Sequence, residues 1–354
     1  MGIKQTVLTL ALISPLLLLA QNTKVIHIKP LEVATLNLSQ VAEKVTPVSL
    51  SSYKDFYING GQYFYITDDY LFIISGNVIA QLDISGKYIK TIRIHGQITG
   101  VTGNQDKNEI YFSTKSKIIC CDYSLTVKKV FTSKYNTNSI FFYNNKLCIA
   151  SYKQNEIVKG VKITYKLSSM DVLTGKEKFF HFEISETGQG DKWGLTIREP
   201  IFTVYDNQIV YSNNEAVYSN AVKATLYGIK GNNIYPLLQY VIEPNGEDFK
   251  YQVSPYHRQG FIGKYLYIEY GISSHVGSFH GKSLIYLEDT ETGKAYNLNE
   301  TFNDDIYHTG SCKLFCFANK QGYFIVRRDA SDLKKSANLK IPADSPAIFI
   351  VKVK

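Results

Sequence analysis

A repeat constrains this chain more than any other feature. Three short strands, with a glycine turn before the last, run through 70–75, 78–83 and 88–93. The pattern returns at 109–113, 117–122 and 127–131, then at 146–151 through 171 with the turn Thr174-Gly175-Lys176. It comes again at 208–212, 224–229 and 234–242, and at 265–270 and 283–288 with the turn Thr292-Gly293-Lys294. The sixth copy holds only 322–327 and 347–353. A short apolar stretch precedes each copy, as at 139–143 and 200–205, making four strands per unit at a period of roughly 40–60 residues. No helical periodicity intervenes. A β-sandwich is the competing use of so many strands, and the chain ends decide against it. The last unit lacks one strand, and an orphan strand at 45–50 can supply it. The expectation is an all-β, six-bladed propeller of four-stranded antiparallel blades, its ring closed by an N-terminal strand. Closure covers a sheet edge that would otherwise invite aggregation.

Composition agrees and narrows the partners. The chain has 27 Tyr and 19 Phe against a single Trp, which suits pleated, half-buried surfaces. Net charge is +8, but only Arg93, Arg198, Arg258, Arg327 and Arg328 are arginines, so 34 of 39 basic residues are scattered lysines. Nucleic-acid readers concentrate arginine and lysine on one stripe, so nucleic acid is not expected as a partner. The N-terminus carries an address: Lys4, the apolar run 7–20, and Ala20 before Gln21. About 14 apolar residues are too few to span a bilayer, and the pattern reads as a secretory signal cleaved after Ala20. No cysteine near the cut offers a lipid anchor. The domain reading is therefore a signal at 1–20, a lead segment at 21–44 and one propeller at 45–354. A monomer, periplasmic or secreted, is expected. The five cysteines, 120, 121, 148, 312 and 316, lack a disulfide framework, so buried free thiols are expected.

At several points the chain resembles a family. The opening Leu38-Ser39-Gln40-Val41-Ala42 with Val48-Ser49-Leu50, and the unit Asp69-Tyr70-Leu71-Phe72 with Asp83-Ile84-Ser85-Gly86-Lys87, are similar to Bacteroidota six-bladed propellers. Those proteins form a domain of unknown function of the TolB-like and NHL-like propeller type. The phrases Thr225-Leu226-Tyr227-Gly228-Ile229 and Ser345-Pro346-Ala347-Ile348-Phe349 continue the likeness in order. The chain departs from the pattern after the first blade, where only Gly96-Gln97-Ile98-Thr99-Gly100 remains of a Gly-rich acidic stretch. The resemblance implies fold and export. It implies no activity.

Loop lengths point to a face. First-to-second and third-to-fourth strand turns are tight, through Asp68-Asp69, Asn144-Asn145, Gly86, Gly175 and Gly293. Connections at 185–200, 243–260 and 299–311, and at 153–162, 213–223 and 271–282, are long. In an up-and-down blade these two long classes share one face of the disc, where binding sites tend to sit. They hold the candidate ligand-binding residues Trp193, Arg198, Tyr256, His257, Arg258, His275, His280, Asp304, Asp305 and His308. His275 and His280 fit no standard zinc spacing, and the Asp304-Asp305 pair supplies too few oxygens for calcium. No cofactor is expected, calcium being the ion to test. Nucleophile elbows and phosphate loops are missing from the sequence. The leading expectation is a non-enzymatic binder of a glycan, peptide or protein on the long-loop face. The alternative is a lactonase-like or sugar-processing hydrolase or lyase with histidines and acids at the axial mouth.

Overall fold

The computed structural model describes residues 23–29, 33–51, 62–157, 160–189, 201–212, 218–219, 222–242, 250–252, 258–273, 282–299, 301–317, 319–334, 336, 339, 341–342 and 345–354. The lead contributes β1 (Lys24–Ile28) and β2 (Ala42–Ser49). Blade one is β3 (Gln62–Ile66), β4 (Tyr70–Ser75), β5 (Val78–Asp83) and β6 (Tyr88–Arg93). Blade two is β7 (Gly100–Asn104), β8 (Glu109–Ser113), β9 (Lys117–Asp122) and β10 (Val127–Thr132). Blade three is β11 (Asn136–Tyr143), β12 (Lys146–Ile157), β13 (Gly160–Asp171) and β14 (Glu177–Gln189). Blade four is β15 (Ile201–Tyr205), β16 (Gln208–Ser212), β18 (Val222–Lys230) and β19 (Asn233–Ile242), with β17 (Tyr218–Ser219) between its second and third strands. After β20 (Lys250–Gln252), blade five is β21 (Gln259–Ile262), β22 (Tyr265–Ser273), β23 (Lys282–Asp289) and β24 (Lys294–Leu298). A small hairpin, β25 (Phe302–Asp304) and β26 (Gly310–Cys312), leads to blade six: β27 (Leu314–Phe317), β28 (Tyr323–Arg328), β29 (Ala347–Val353) and β2. The molecule is a six-bladed β-propeller.

Ring closure follows the sequence reading. β2 pairs antiparallel with β29, placing Val45 opposite Val351 and Val48 opposite Ile348, and the strand starts at Ala42. The closing strand then passes over blade one. At Gly86, in the turn before β6, φ is +93° and an added Cβ would lie 2.0 Å from the Ser49 carbonyl oxygen, so only glycine fits.

The core is divided among the seams between blades. Second strands are buried on both faces, as in Leu71, Phe72, Ile73 and Ile74, so they read as continuous apolar runs. Val48, Phe64, Leu71 and Ile348 fill the seam between blades six and one. Tyr65, Phe72, Ile110 and Cys121 fill the next, while the adjacent Cys120 faces the seam between blades two and three with Leu147 and Met170. Cys120, Cys121, Cys148 and Cys312 are buried free thiols, and burial pushes Cys121, Cys148 and Cys312 up to about 12. The side chain of Cys316 lies outside the described residues.

The lead segment does more than close the ring. β1 adds in parallel to β19, the outer strand of blade four, with Ile26 opposite Tyr240 and Ile28 opposite Ile242. Alternation decides which side chains enter: Ile26 and Ile28 are buried, while Val25 and His27 face out. The chain then crosses blade five, where Ala34 bridges Leu298 and the Asn297 amide donates to the Lys29 carbonyl at 2.9 Å. A one-turn helix, Leu38–Val41, buries Leu38 and Val41 beside blade six. Blades four to six are thereby strapped from outside.

Candidate functional site

Antiparallel order puts the two kinds of connection on opposite faces of the disc. On the plain face the turns are short and built by aspartates. Asp83 accepts from the Ser85 hydroxyl at 2.6 Å and the Lys87 amide at 2.9 Å, and these bonds hold its carboxyl below the usual range. Asp122 is lowered by the Ser124 hydroxyl and Asp171 by the Thr174 amide in the same way.

The opposite face is elaborated, in part by strands where loops are expected. The span 153–162 is a long hairpin: β12 and β13 pair from Lys146 opposite Asp171 out to Ile157 opposite Gly160. Alternation continues past the blade through Tyr152, Ile163 and Tyr165, which form a small buried cluster of their own. Blade five grows similarly, since β20 joins the end of β22 at Gly271–Ser273 and β17 joins β20.

Four of the ten candidate residues fall within the described part. Trp193, Arg198, Tyr256, His257, His275 and His280 lie outside it. Asp304 is buried and committed to its own loop: one oxygen accepts the Ile306 and Tyr307 amides at 3.2 and 3.0 Å, the other the Thr309 amide and hydroxyl. Asp305 holds the strap, accepting the Ser39 amide at 3.0 Å and the Ser39 hydroxyl. Burial pushes the Asp305 carboxyl up, but the Ser39 hydroxyl and amide outweigh it and hold it low. His308 is exposed, with φ +58°, and its charge also favours ionised Asp305. The hairpin between blades five and six therefore serves as a docking post for the lead segment. Arg328, buried, fixes that post by donating to the Ser311 carbonyl at 2.6 Å and to the Thr309 carbonyl.

Arg258 sits elsewhere and has company that sequence reading missed. Its carbonyl accepts the Glu269 amide at 2.8 Å, and its guanidinium lies 3.4 Å from Glu269 Oε2. Lys313, just before blade six, reaches the other oxygen, Oε1, at 3.2 Å. Glu269 is 2 % exposed, whereas the Arg258 and Lys313 side chains keep 24 % and 41 %. A buried carboxylate thus spans the inner seam between blades five and six, with two cations toward solvent on the elaborated face. The Glu269 carboxylate is thus shared between two cations, one on each oxygen. Among the described residues, no group of three or more His, Cys, Asp or Glu is placed to hold a metal.

A repeat-level signal for this corner exists. Counted from the tight turn, the fifth residue of the second strand is Ile74, Ser113, Ala150 and Ser212 in blades one to four. Blade five has Glu269 at that place and blade six has Arg327. Only blades five and six carry a charged residue at that position.

No protein-family model matches the chain, and no curated protein matches it. Among solved structures it is similar to a putative TolB from Agrobacterium tumefaciens, at 10% identity and TM-score 0.43 over 89% of this chain and 99% of that one. It is also similar to a protein of unknown function from Bacteroides thetaiotaomicron, at 9% identity and TM-score 0.49 over 88% and 76%. BamB from Moraxella catarrhalis matches at 11% identity and TM-score 0.36 over 88% and 100%. Such values carry no argument about ligand or partner. The fold rests on the strand pairing described above.

Proposed function

We propose that the chain is an exported ligand-binding propeller whose contact surface is the elaborated face at blades four to six. The observation that carries this reading is the asymmetry of the disc: aspartate-built turns on one face, extended hairpins and a charged corner on the other. Rigid scaffolds with one elaborated side place recognition there. Among the described residues, no helix is long and apolar enough to cross a membrane. Membership of the Bacteroidota propellers belongs to the same reading and rests on the ordered phrases of the sequence. Trp193, Arg198, Tyr256, His257, His275 and His280 are assigned to the surface by their place in the long connections, and Arg258 by the corner it forms with Glu269. The ligand is a glycan, peptide or protein.

A binding screen of glycans and peptides on the mature chain, with and without calcium, tests the reading. Aromatic and arginine anchors dominate binding where they are desolvated, so Trp193→Ala and Arg258→Ala should each weaken binding about 30-fold. Lys87→Ala and Lys294→Ala on the plain face should leave it unchanged. The reverse pattern would place the site on the wrong side. Intact mass of exported protein should give a chain beginning at Gln21 without lipid; a product starting at Met1 would remove the export reading.

A further inference from the structure

Blade four is complete without β1. Its own strands β15, β16, β18 and β19 are the usual four, and β1 adds a fifth outside them. The addition is of another kind. β1 runs parallel to β19, whereas the other ladders of that sheet are antiparallel, and parallel pairing is slightly less stable per residue. What β1 fills is a built receptor. Lys24, Ile26 and Ile28 stand opposite Leu238, Tyr240 and Ile242, and the two isoleucines are buried among Leu226, Leu238, Tyr240 and Leu284. At the N-terminal end the Lys24 ammonium lies 2.7 Å from Glu288 Oε1, and the Tyr286 hydroxyl donates to Oε2 at 2.7 Å. Glu288 is buried, so taking β1 away leaves a carboxylate in the seam without its cation. Further along, the lead is held by other means. The Asn303 amide donates to the Leu36 carbonyl at 2.9 Å, its side-chain amide donates to Asn37 Oδ1 at 2.8 Å, and Asp305 accepts from Ser39. None of these contacts involves β1.

We propose that the outer edge of blade four is an acceptor site for an extended segment of a partner protein, with β1 as its resident and displaceable occupant. The segment it takes lies parallel to β19 and carries a basic residue, then β-branched apolar residues two and four places further on. Backbone pairing supplies affinity in strand addition, and the alternate side chains supply specificity. Here the apolar places are those of Ile26 and Ile28, and the basic place is set by Glu288. The anchors at Leu36, Asn37 and Ser39 let β1 peel away while β2 stays in the ring. Departure uncovers the row Leu238, Tyr240 and Ile242, which an incoming strand covers again. The tethered lead competes as an intramolecular ligand, so a free strand meets only those molecules whose β1 is out. This edge lies on the outer rim, apart from the elaborated face, and its occupancy is independent of what binds there.

The test uses the mature chain, a variant whose lead cannot dock (Ile26→Asp with Ile28→Asp), and a labelled peptide of sequence 23–29. By fluorescence anisotropy the peptide should bind the variant about 100-fold tighter than the unaltered chain. It should also raise the melting temperature of the variant and leave that of the unaltered chain in place. Lys24→Gln in the peptide should weaken binding to the variant about tenfold, and Glu288→Gln in the variant should erase that difference. A folded variant that ignores the peptide would overturn the acceptor site. A peptide indifferent to both charge changes would overturn the basic place in the recognised pattern. Hydrogen exchange on the unaltered chain gives a reading that does not depend on the variant. Amides of 24–28 should lose protection ahead of those of β2, through an opening that low urea does not promote. Equal protection would show that β1 leaves only when the ring opens, and would overturn displacement. A dimer of the unaltered chain that exchanges β1 between copies would give the edge to a second copy and overturn the partner assignment.

Discussion

The two halves of the ring protect their outer edges in different ways. Blades four and five are covered by the lead segment, and blade six receives its outer strand from it. Among the described residues, no strand pairs with the outer strands of blades one and two. β6 exposes Tyr88 and Ile89, and β10 exposes Val127 and Val130, each 54 % open. Protection there is local. β10 carries Lys128 and Lys129 with a register shift between Val127 and Lys129, and β6 carries Lys90 and Arg93 with a shift in its partner at Gln81/Leu82. Charges and bulges blunt an edge without covering it. One half is held by long-range contacts and the other by short-range ones. The proposed site lies in the half whose outside is strapped.

The sharpest way to break this division is at closure. Val48 is fully buried in the seam between blades six and one. Val48→Asp places an unpaired carboxylate there and should cost at least about 4 kcal/mol, abolishing a single cooperative melt. A transition that remains single and near wild type would show that the ring does not depend on its N-terminal strand.

A smaller effect separates the strapped half from the bare one. Ile28 is fully buried under blade four, so Ile28→Ala should cost about 2–4 kcal/mol by urea denaturation. Val130→Ala on β10 should stay within about 0.5 kcal/mol. Equal costs at the two positions would dissolve the distinction.

The smallest expected change is acid loosening of the strap. The Asp305 carboxyl is held low by Ser39 in the folded chain, so its contribution is present above the ordinary aspartate value near 4 and fades as pH falls through the lowered one. Amide protection at 36–41, taken relative to the intrinsic exchange rate at each pH, should therefore fall below pH about 4, and Asp305→Asn should remove that dependence. Unchanged protection across that range would show that Asp305 does not anchor the strap.

Most of the fold could be read from the sequence because propeller strands are local. Tight turns through Asp83, Asp122 and Asp171 set register within a few residues, and burial on both faces makes second strands apolar runs. The closing strand was legible from a count, one strand missing and one spare. The parallel partner of β1 was not, because Lys24–Ile28 alternates like any edge strand and nothing local names blade four. The span 153–162 reads as a loop in the sequence and is a hairpin in the structure. Its alternation through Tyr152, Ile163 and Tyr165 is present, but Lys153, Gln154 and Asn155 between them resemble turn chemistry. Arg258 is a candidate by residue type, and its contact with Glu269 is not visible in the sequence. Asp304 and Asp305 are candidates for the same reason, and their carboxylates are engaged by the hairpin and the strap. Glu269 is hidden inside β22 and stands out only when the six units are laid against one another, while Lys313 is a single residue between β26 and β27.

The parallel pairing of β1 with β19 has a consequence for the order of assembly. A chain made from its N-terminus has Lys24–Ile28 long before Leu238–Ile242 exists, and Val48 longer still before Ile348. Both N-terminal strands must wait, unpaired, while blades one to three form from contacts a few residues apart. Local pairings form fast, and distant ones carry the entropy of closing a long loop. Synthesis thus completes the bare half first, and the strapped half, with the charged corner in it, is the last part of the molecule to become itself.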